Sequence, residues 1–271
     1  MPVSGPGAAP SLDWGMGHYE RTAQTLLPAA RALVDAAEVV AGERVLDLGS
    51  GTGNVALLAA AAGAHVTAVD PSSRLLGVAD AAAQQKGLSI RCDVGEASKL
   101  PSPDGSFDCV LSNFGLIFAS DVEEAVAEIG RVLDVRGRAA FTAWLPGGAV
   151  GAMAAAAQDL VRSALGAPPA PPPFAWHEDT AVSGLFGRAG MGVALAGRHE
   201  LAFTASSPSD YLDAERNNHP MAVAGFQLLE QLGKGEQSRE HLLRVLIEHN
   251  EDPDRFLSTS RYVIFLATPL R

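Results

Sequence analysis

Three glycines at alternate positions follow a short apolar run. The run at 45–48 leads into Gly49, Gly51 and Gly53, and a segment with helical periodicity comes next. Because glycine has no Cβ, such a turn lets the chain bend sharply and lets a ligand lie against bare backbone, while the following helix offers unpaired N–H groups. The pattern therefore predicts a binding site for a nucleotide-like ligand where the first strand ends.

Acidic residues stand at the ends of three successive apolar runs. Asp70 could accept hydrogen bonds from both hydroxyls of a ribose, and Glu96 follows the next run. Asp47, two residues before the first glycine, would repel a pyrophosphate and suit a cationic ammonium group. The dinucleotide fingerprint requires a third glycine where this chain has Asn54, although Gly53 could still be aligned. A ligand with a positive end is favoured, and an NAD(P)-dependent oxidoreductase stays as the alternative.

Short apolar runs alternate with helical periods through the first half of the chain. Ser120 and Glu123 have the spacing of a capping box at the start of one predicted helix. Strands are predicted at 44–48, 65–69, 88–92, 107–111 and 138–144, and helices at 19–40, 54–62, 73–86 and 121–133. This alternation predicts an α/β fold with a doubly wound, mostly parallel sheet covered by helices on both faces.

The order of elements changes after Trp144. We predict a helix at 180–188, a strand at 193–203, mostly helix at 209–250 and a final strand at 261–267. The proline-rich run 167–173 excludes helix and central strand, and it is predicted as a surface connector or as a wall of a substrate pocket. The segment at about 208–258 is too long for a simple crossover, so we expect a helical cap over the carboxyl edge of the sheet.

Composition excludes several classes of function. The net charge is −11, which opposes binding to nucleic acid, and no apolar run reaches the roughly 20 residues that span a membrane. Cys92 and Cys109 lie in apolar runs without ligands at metal-binding spacing, so neither a metal site nor a disulfide is expected. The first residues lack the pattern of a secretory signal, and a cytoplasmic location is predicted.

The motif residues resemble the class I S-adenosylmethionine-dependent methyltransferases, in particular the small-molecule group called type 11 and its actinobacterial members. The resemblance is carried by DLGSGTG at 47–53, VDPS at 69–72, GEASKLP at 95–101, PDGSFD at 103–108, RVL at 131–133 before RGR at 136–138, and FGLIFASD at 114–121. It covers residues 44–144 well and the second half loosely. It implies a Rossmann-like sheet of seven strands whose last strand is antiparallel.

The resemblance also implies roles for individual residues. S-adenosyl-L-methionine would be the cofactor and S-adenosyl-L-homocysteine its product. Asp70 would hold the ribose, and Glu96 and Ala97 would contact the adenine, although the family usually has Asp at the position of Glu96. The full set of predicted cofactor residues is Asp47, Gly49, Ser50, Gly51, Asp70, Pro71, Glu96, Ala97, Asn113 and Tyr19.

We divide the chain into a flexible tail at 1–18, a cofactor-binding core at 19–146 and a region at 147–271 that holds the remaining strands and the cap. Trp14 and Tyr19 could place aromatic faces against the sulfonium. Apolar residues of the second half could line the acceptor pocket, namely Phe174, Trp176, Phe186, Phe203, Tyr211, Met221, Phe226 and Leu229.

The predicted reaction is an in-line displacement that moves the methyl group to a small-molecule acceptor such as a natural product, a lipid or a quinone-like metabolite. Alignment of the two reactants is worth roughly 7 to 11 kcal/mol in well-oriented systems. A hydroxyl acceptor would need a base, for which His18, His177, His199 and His219 are weak candidates, whereas a carbon, amine or thiol acceptor would not. A protein that binds the cofactor without turnover is the second alternative.

Overall fold

The computed structural model describes residues 12–168 and 173–270. Within these ranges seven strands form one sheet. They are β1 (Arg44–Leu48), β2 (His65–Asp70), β3 (Ile90–Val94), β4 (Phe107–Ser112), β5 (Leu133–Trp144), β6 (Met191–Ala205) and β7 (Phe256–Pro269). Their order across the sheet is β3-β2-β1-β4-β5-β7-β6.

Ten α-helices and one short 3-10 helix accompany the strands in the described part of the chain. The 3-10 helix is Leu116–Phe118. The α-helices are α1 (Tyr19–Thr25), α2 (Leu27–Ala36), α3 (Asn54–Ala61), α4 (Ser73–Gln85), α5 (Val122–Val132), α6 (Gly148–Ala164), α7 (Asp179–Arg188), α8 (Pro208–Asn218), α9 (Pro220–Gln231) and α10 (Gly235–Glu248).

The sheet is the doubly wound, mostly parallel one that the sequence predicted. β1 pairs in parallel with both β2 and β4, whereas β7 is antiparallel to its neighbours β5 and β6. The strand order reverses between β1 and β4, and crevices that bind ligands form at such a reversal, outside the carboxyl ends of the strands. The fold class and the antiparallel last strand are confirmed.

Two hydrophobic cores hold the helices on the two faces of the sheet. One face carries the core that includes Leu33 of α2, Ala56 of α3 and Leu246 of α10, and each of these is fully buried. The other face carries the core that includes Ile129 of α5 and Leu185 of α7. The sheet is thus covered on both sides, as its long apolar strands require.

Some element boundaries differ from the sequence prediction. The predicted helix at 19–40 is two helices that meet at Leu26, because Pro28 in the first turn of α2 has no N–H to continue the preceding helix. The cap of α5 is Asp121, whose Oδ1 accepts from the amides of Glu123 and Glu124, and the predicted cap at Ser120 is therefore wrong.

The strands of the antiparallel ladder are longer than predicted. β7 begins at Phe256, five residues before the predicted start at 261, because it continues to pair with β6 as far as Ala205. β5 begins at Leu133, and its parallel pairing with β4 shifts register between Phe107 and Cys109 of β4. β3 is shifted to 90–94 from the predicted 88–92. Apolar periodicity marks the central part of a strand better than its ends.

Residues 1–11 of the predicted tail and most of the proline-rich run lie outside the described residues. Within the described part of this segment, Nε of Arg74 in α4 donates to the carbonyl of Gly15 over 2.7 Å. α8, α9 and α10 fall within the segment predicted as a cap, and the domain boundaries stay predictions. Among the described residues, no helix combines the length and the hydropathy needed to cross a membrane.

Candidate active site

The glycine turn after β1 is closed by contacts within the protein. The amides of Gly49 and Ser50 both donate to the carbonyl of Val69 at the end of β2, over 2.9 and 3.1 Å. Gly49 has φ +67°, and a Cβ at this position would lie 2.8 Å from Cα of Gly115. The turn needs glycine here for two reasons, the left-handed backbone and the close approach of a second chain segment.

Asp70 binds the glycine turn from the end of β2. Its Oδ2 accepts from the amide of Gly51 over 2.8 Å, and its Oδ1 accepts from the amide of Ser72 over 2.9 Å. Burial raises the pKa of this carboxyl, and the two hydrogen bonds oppose that rise. Because a carboxylate has about four lone-pair sites, each oxygen can still accept a hydrogen bond from a hydroxyl of a ligand.

Asp47 and Ser50 are both buried, and their side chains do not line a cavity in the described structure. Asp47 is 1% exposed, and its Oδ2 accepts from the amide of Ala56 in the first turn of α3 over 2.8 Å. Burial raises the pKa of Asp47 to about 7. Ser50 is also buried, and its hydroxyl has no hydrogen-bond partner in the described structure. The predicted contact of Asp47 with an ammonium group of a ligand stays a prediction.

A cavity of about 420 Å³ opens at the carboxyl ends of the parallel strands. Eight of the ten predicted cofactor residues line it, and Glu96 is exposed at its rim. These eight are Tyr19, Gly49, Gly51, Asp70, Pro71, Glu96, Ala97 and Asn113. The structure thus brings together residues from α1 and from the ends of β1, β2, β3 and β4 at one cavity.

Trp14 and Tyr19, the two predicted aromatic residues, also line this cavity. The ring of Trp14 makes an edge contact with Phe118, with centroids 4.8 Å apart. Tyr19 lies over the glycine turn, because Cε1 of its ring is 3.3 Å from where a Cβ of Gly51 would be. Burial, followed by the charge of Asp70, raises the pKa of Tyr19 to about 12, so its hydroxyl is protonated at neutral pH.

Phe114 is a cavity residue that the sequence analysis missed. It has φ +58°, a strained conformation for a residue with a side chain, and its amide donates to Oγ1 of Thr142 over 2.7 Å. Its ring stacks on Trp144 with centroids 3.8 Å apart. Its place in the sequence could have identified it, because Asn113 and Phe114 directly follow β4, where the strand order reverses. The remaining residues that line the cavity, none of which was predicted, are Leu12, Leu48, Leu75, Gly95, Ser98, Gly115, Phe118, Ala119 and Ser120.

Of the four histidines named as possible bases, two lie beside neighbouring carboxylates. Nδ1 of His18, an exposed residue, is 3.5 Å from a carboxylate oxygen of Glu20. Nε2 of His177 is 3.3 Å from a carboxylate oxygen of Glu178. Neither histidine is among the described residues that line the cavity.

The other two histidines contact aromatic rings. His199, on β6, stacks on Tyr262 with centroids 5.2 Å apart. His219, between α8 and α9, makes an edge contact with Tyr19, with centroids 5.8 Å apart. His219 does not itself line the cavity, but its ring contacts Tyr19, which does. Burial lowers the pKa of the His219 imidazole to about 4.

Of the eight residues predicted to form an apolar acceptor pocket, Met221 lines the cavity. The other seven do not, because they are used in packing. Phe174, Trp176 and Phe186 pack in the core on the side of α5 and α7, Phe203, Tyr211 and Phe226 lie in the opposite core, and Leu229 is buried.

Comparisons with known proteins match this chain to methyltransferases. A family described as "Methyltransferase domain" matches residues 46–141. An uncharacterized protein of Mycobacterium tuberculosis is 33% identical over 217 residues, which are 79% of this chain and 77% of that protein. The chain belongs to the class I S-adenosylmethionine-dependent methyltransferases.

Other relatives match a smaller part of this chain. A second uncharacterized M. tuberculosis protein is 38% identical over 174 residues, and the match spans 64% of this chain and 63% of that protein. The demethylmenaquinone methyltransferase of Thermus thermophilus is 41% identical over 110 residues, 40% of this chain and 50% of that enzyme. The solved structure of the YcgJ protein of Bacillus subtilis shares the fold, with a TM-score of 0.59, 19% identity, and coverage of 92% of this chain and 99% of that one.

The site of this chain fits an adenosyl sulfonium better than a pyrophosphate. The amides of Gly49, Ser50, Gly51 and Gly53 all donate within the protein, to the carbonyls of Val69 and Ser50 and to the carboxylate of Asp70. A phosphate at the helix N-terminus would need such amides to be free. An acidic, aromatic cavity suits a ribose and a positive sulfur. The geometry and the family assignment therefore favour S-adenosylmethionine over NAD(P) as the cofactor.

Proposed function

We propose that this protein transfers the methyl group of S-adenosylmethionine to a small, largely apolar molecule. The observation that carries the proposal is the composition of the cavity. Asp70 and Glu96 supply carboxylates for the polar half of the cofactor, whereas Trp14, Phe114 and Met221 supply apolar walls. Small-molecule sites typically have such apolar walls with a few placed polar groups.

The residues of this chain would bind and align the reactants. Asp70 would hold the ribose hydroxyls, and Glu96 and Ala97 would contact the adenine. Tyr19, Gly49 and Gly51 would lie along the methionine half. When bound, the cofactor supplies a methyl group on a sulfonium, which is already activated for displacement. The task that remains for the protein is to exclude water and to hold the acceptor in line.

A quinone-like metabolite or another apolar natural product or lipid is the acceptor class we favour. The demethylmenaquinone methyltransferase of T. thermophilus is one of the relatives, which supports a quinone-like acceptor. The net charge of −11 supports a site that does not take nucleic acid. A cytoplasmic location is part of the same proposal.

The first test separates the cofactors. Calorimetry with S-adenosylmethionine, S-adenosylhomocysteine and NADH is expected to show binding of both sulfur ligands and none of NADH. Binding of NADH without binding of either sulfur ligand would contradict the proposal and the family assignment together.

The second test measures turnover. The protein and S-adenosylmethionine labelled in the methyl group are incubated with hydroquinones, phenols, amines, fatty acids and small-molecule cell extracts. We expect label to move into an apolar, organic-extractable product. Binding of the sulfur ligands without transfer to any acceptor would instead favour a cofactor-binding protein without turnover.

A further inference from the structure

The strand β6 forms one edge of the sheet, and no described strand pairs with its outer side. It has 15 residues, which extend over about 50 Å at roughly 3.3 Å per residue. The strand at the opposite edge, β3, has five residues. The backbone N–H and C=O groups of an open edge are a template for another strand, and proteins commonly protect such edges by keeping them short. The length of β6 therefore indicates an edge with which another strand can pair.

The side chains of β6 do little to protect this edge. The strand contains neither lysine nor proline, the two residues that commonly block pairing at an edge. One protective feature is a bulge between Leu195 and Gly197, where the pairing with β7 shifts by one residue. From Gly197 to Ala205 the register with β7 is regular. The second part of β6 is thus an uninterrupted edge.

Two opposite charges stand near the middle of β6. Arg198 and Glu200 are exposed, and because they are two residues apart their side chains lie on the same face of the strand. The ion pairs formed among the described residues include neither of them. Arg261 of β7 is opposite Glu200 in the ladder, but its guanidinium does not form an ion pair with that carboxylate. In the described structure both charges are therefore free to bind a partner.

We infer that the outer edge of β6 binds a second copy of this chain, with the two β6 strands antiparallel about a twofold axis at His199. In this register Arg198 lies opposite Glu200 of the second copy, and the symmetry forms the same ion pair twice. A symmetric register centred on Arg198 or on Glu200 would place two like charges directly opposite each other, which is destabilising. The charge pattern thus favours one occupant and one register.

The same register uses nearly the whole length of the strand. His199 is one residue from the midpoint of β6, so a ladder centred on it runs almost to both ends. Ala196 is the extra residue of the bulge, and when it is passed over, Leu195 lies opposite Ala202 of the second copy. Leu195 is 38% exposed in the single chain, and this contact would cover it. The two seven-stranded sheets become one continuous sheet.

The pairing leaves the cofactor cavity open. The cavity lies at the carboxyl ends of β1, β2, β3 and β4, whereas β5 and β7 separate β6 from β4 in the sheet. Each copy would keep its own cavity, so the inference is independent of the acceptor and of turnover. Variants at the edge should retain their affinity for S-adenosylhomocysteine, which shows that each variant is folded.

The first test measures mass in solution by sedimentation velocity at micromolar concentrations. The wild type is expected to reach twice 28.1 kDa. Arg198→Glu places two glutamates opposite each other and Glu200→Arg places two arginines, so each change is expected to raise the dissociation constant of the dimer at least tenfold. The double variant Arg198→Glu/Glu200→Arg exchanges the charges and is expected to restore the wild-type constant within threefold.

The matched controls are Arg31→Glu on α2 and Glu248→Arg on α10, which make the same charge changes at exposed positions and should leave the constant unchanged. A monomeric wild type would overturn the inference and leave the edge to another occupant, a segment outside the described residues or a different protein. A dimer that neither charge reversal weakens would also overturn it, because the copies would then meet through another surface.

The second test locates the axis with a short bifunctional thiol reagent. His199→Cys and Thr204→Cys are each made in a Cys92→Ser background, since Cys92 is half-buried and Cys109 is fully buried. Two copies of position 199 are directly opposite, with Cβ atoms about 4.5 to 5.5 Å apart. Two copies of position 204 are more than about 30 Å apart along the strands. We expect a cross-linked dimer from His199→Cys alone, and cross-linking of Thr204→Cys alone would contradict the register.

Discussion

The backbone amide of Gly51 donates to Oδ2 of Asp70 over 2.8 Å, so one carboxylate both closes the glycine turn and faces the cofactor cavity. The other oxygen of Asp70 accepts from Ser72, at the start of α4. The end of β1, the end of β2 and the first turn of α4 are therefore held by a single side chain. Loss of that side chain should affect both the shape of the site and its charge.

Asp70→Ala is expected to weaken the binding of S-adenosylmethionine by about 1 to 3 kcal/mol, because the ribose hydroxyls would lose a charged acceptor. Asp70→Asn should weaken it less, since the amide keeps one acceptor oxygen. Calorimetry measures both affinities. Asp35→Asn, an exposed residue on α2, is the control. An unchanged dissociation constant in Asp70→Ala would show that the ribose is held elsewhere.

Gly49→Ala is expected to lower the free energy of unfolding by about 2 to 4 kcal/mol, since it combines a left-handed backbone with overpacking. The matched control is Gly42→Ala, where φ is +85° but nothing lies within 4 Å of the added Cβ. That change should cost about 1 to 2 kcal/mol, from the backbone alone. Urea denaturation measures both. Equal losses would mean that the approach of Gly115 to Gly49 is not tight.

Thr142→Val is expected to destabilise the protein by about 1 to 3 kcal/mol, because the buried amide of Phe114 would lose its acceptor. The hydroxyl of Thr142 also donates to Oδ1 of Asn113 over 3.2 Å. Since Asn113 and Phe114 line the cavity, affinity for the cofactor should fall as well. Thr142→Ser keeps the hydroxyl and is expected to restore most of both losses. A fully stable Thr142→Val would show that the left-handed Phe114 needs no such support.

Because the carboxyl of Asp47 is buried, we expect the free energy of unfolding to depend on pH. Its pKa is raised to about 7 in the folded state, above the value of about 3.9 in an unfolded chain, so ionisation of Asp47 costs folded-state stability as the pH rises between these values. Asp47→Asn has no such cost and keeps an acceptor for Ala56. From pH 5 to pH 8 the variant should gain about 3 kcal/mol relative to the wild type.

Urea denaturation of both proteins at pH 5, 6, 7 and 8 measures this change, with Asp35→Asn as the exposed control. A difference between Asp47→Asn and the wild type that stays constant with pH would show that Asp47 is already ionised at pH 5. The carboxylate would then be better solvated beneath the turn than its burial implies.

Much of the fold and part of the site follow from local sequence. β1 begins and ends as predicted, because a short apolar run between glycines has few other ways to be buried. Asp70 is the last residue of β2, and Asn113 directly follows β4. The carboxyl ends of parallel strands meet at one edge of the sheet. Their meeting at the cavity was therefore predictable once the strands were identified.

Other features depended on contacts between segments far apart in the chain. Asp47 has the same spacing to the turn whether it faces a ligand or the core, and only the packing of α3 against β1 places it under Ala56. Trp14, which precedes α1, and Met221, in the first turn of α9, both line the cavity, and no local pattern distinguishes Met221 from the apolar residues that lie in the cores.

The sequence by itself determined the alternation of strands and helices and the acidic, glycine-rich edge, because periodicity and backbone freedom are local properties. The tertiary structure decided which side of the turn each carboxylate faces and which cap residues reach the cavity. Those outcomes follow from the close packing of side chains that are far apart in the sequence, and local sequence patterns do not contain that geometry.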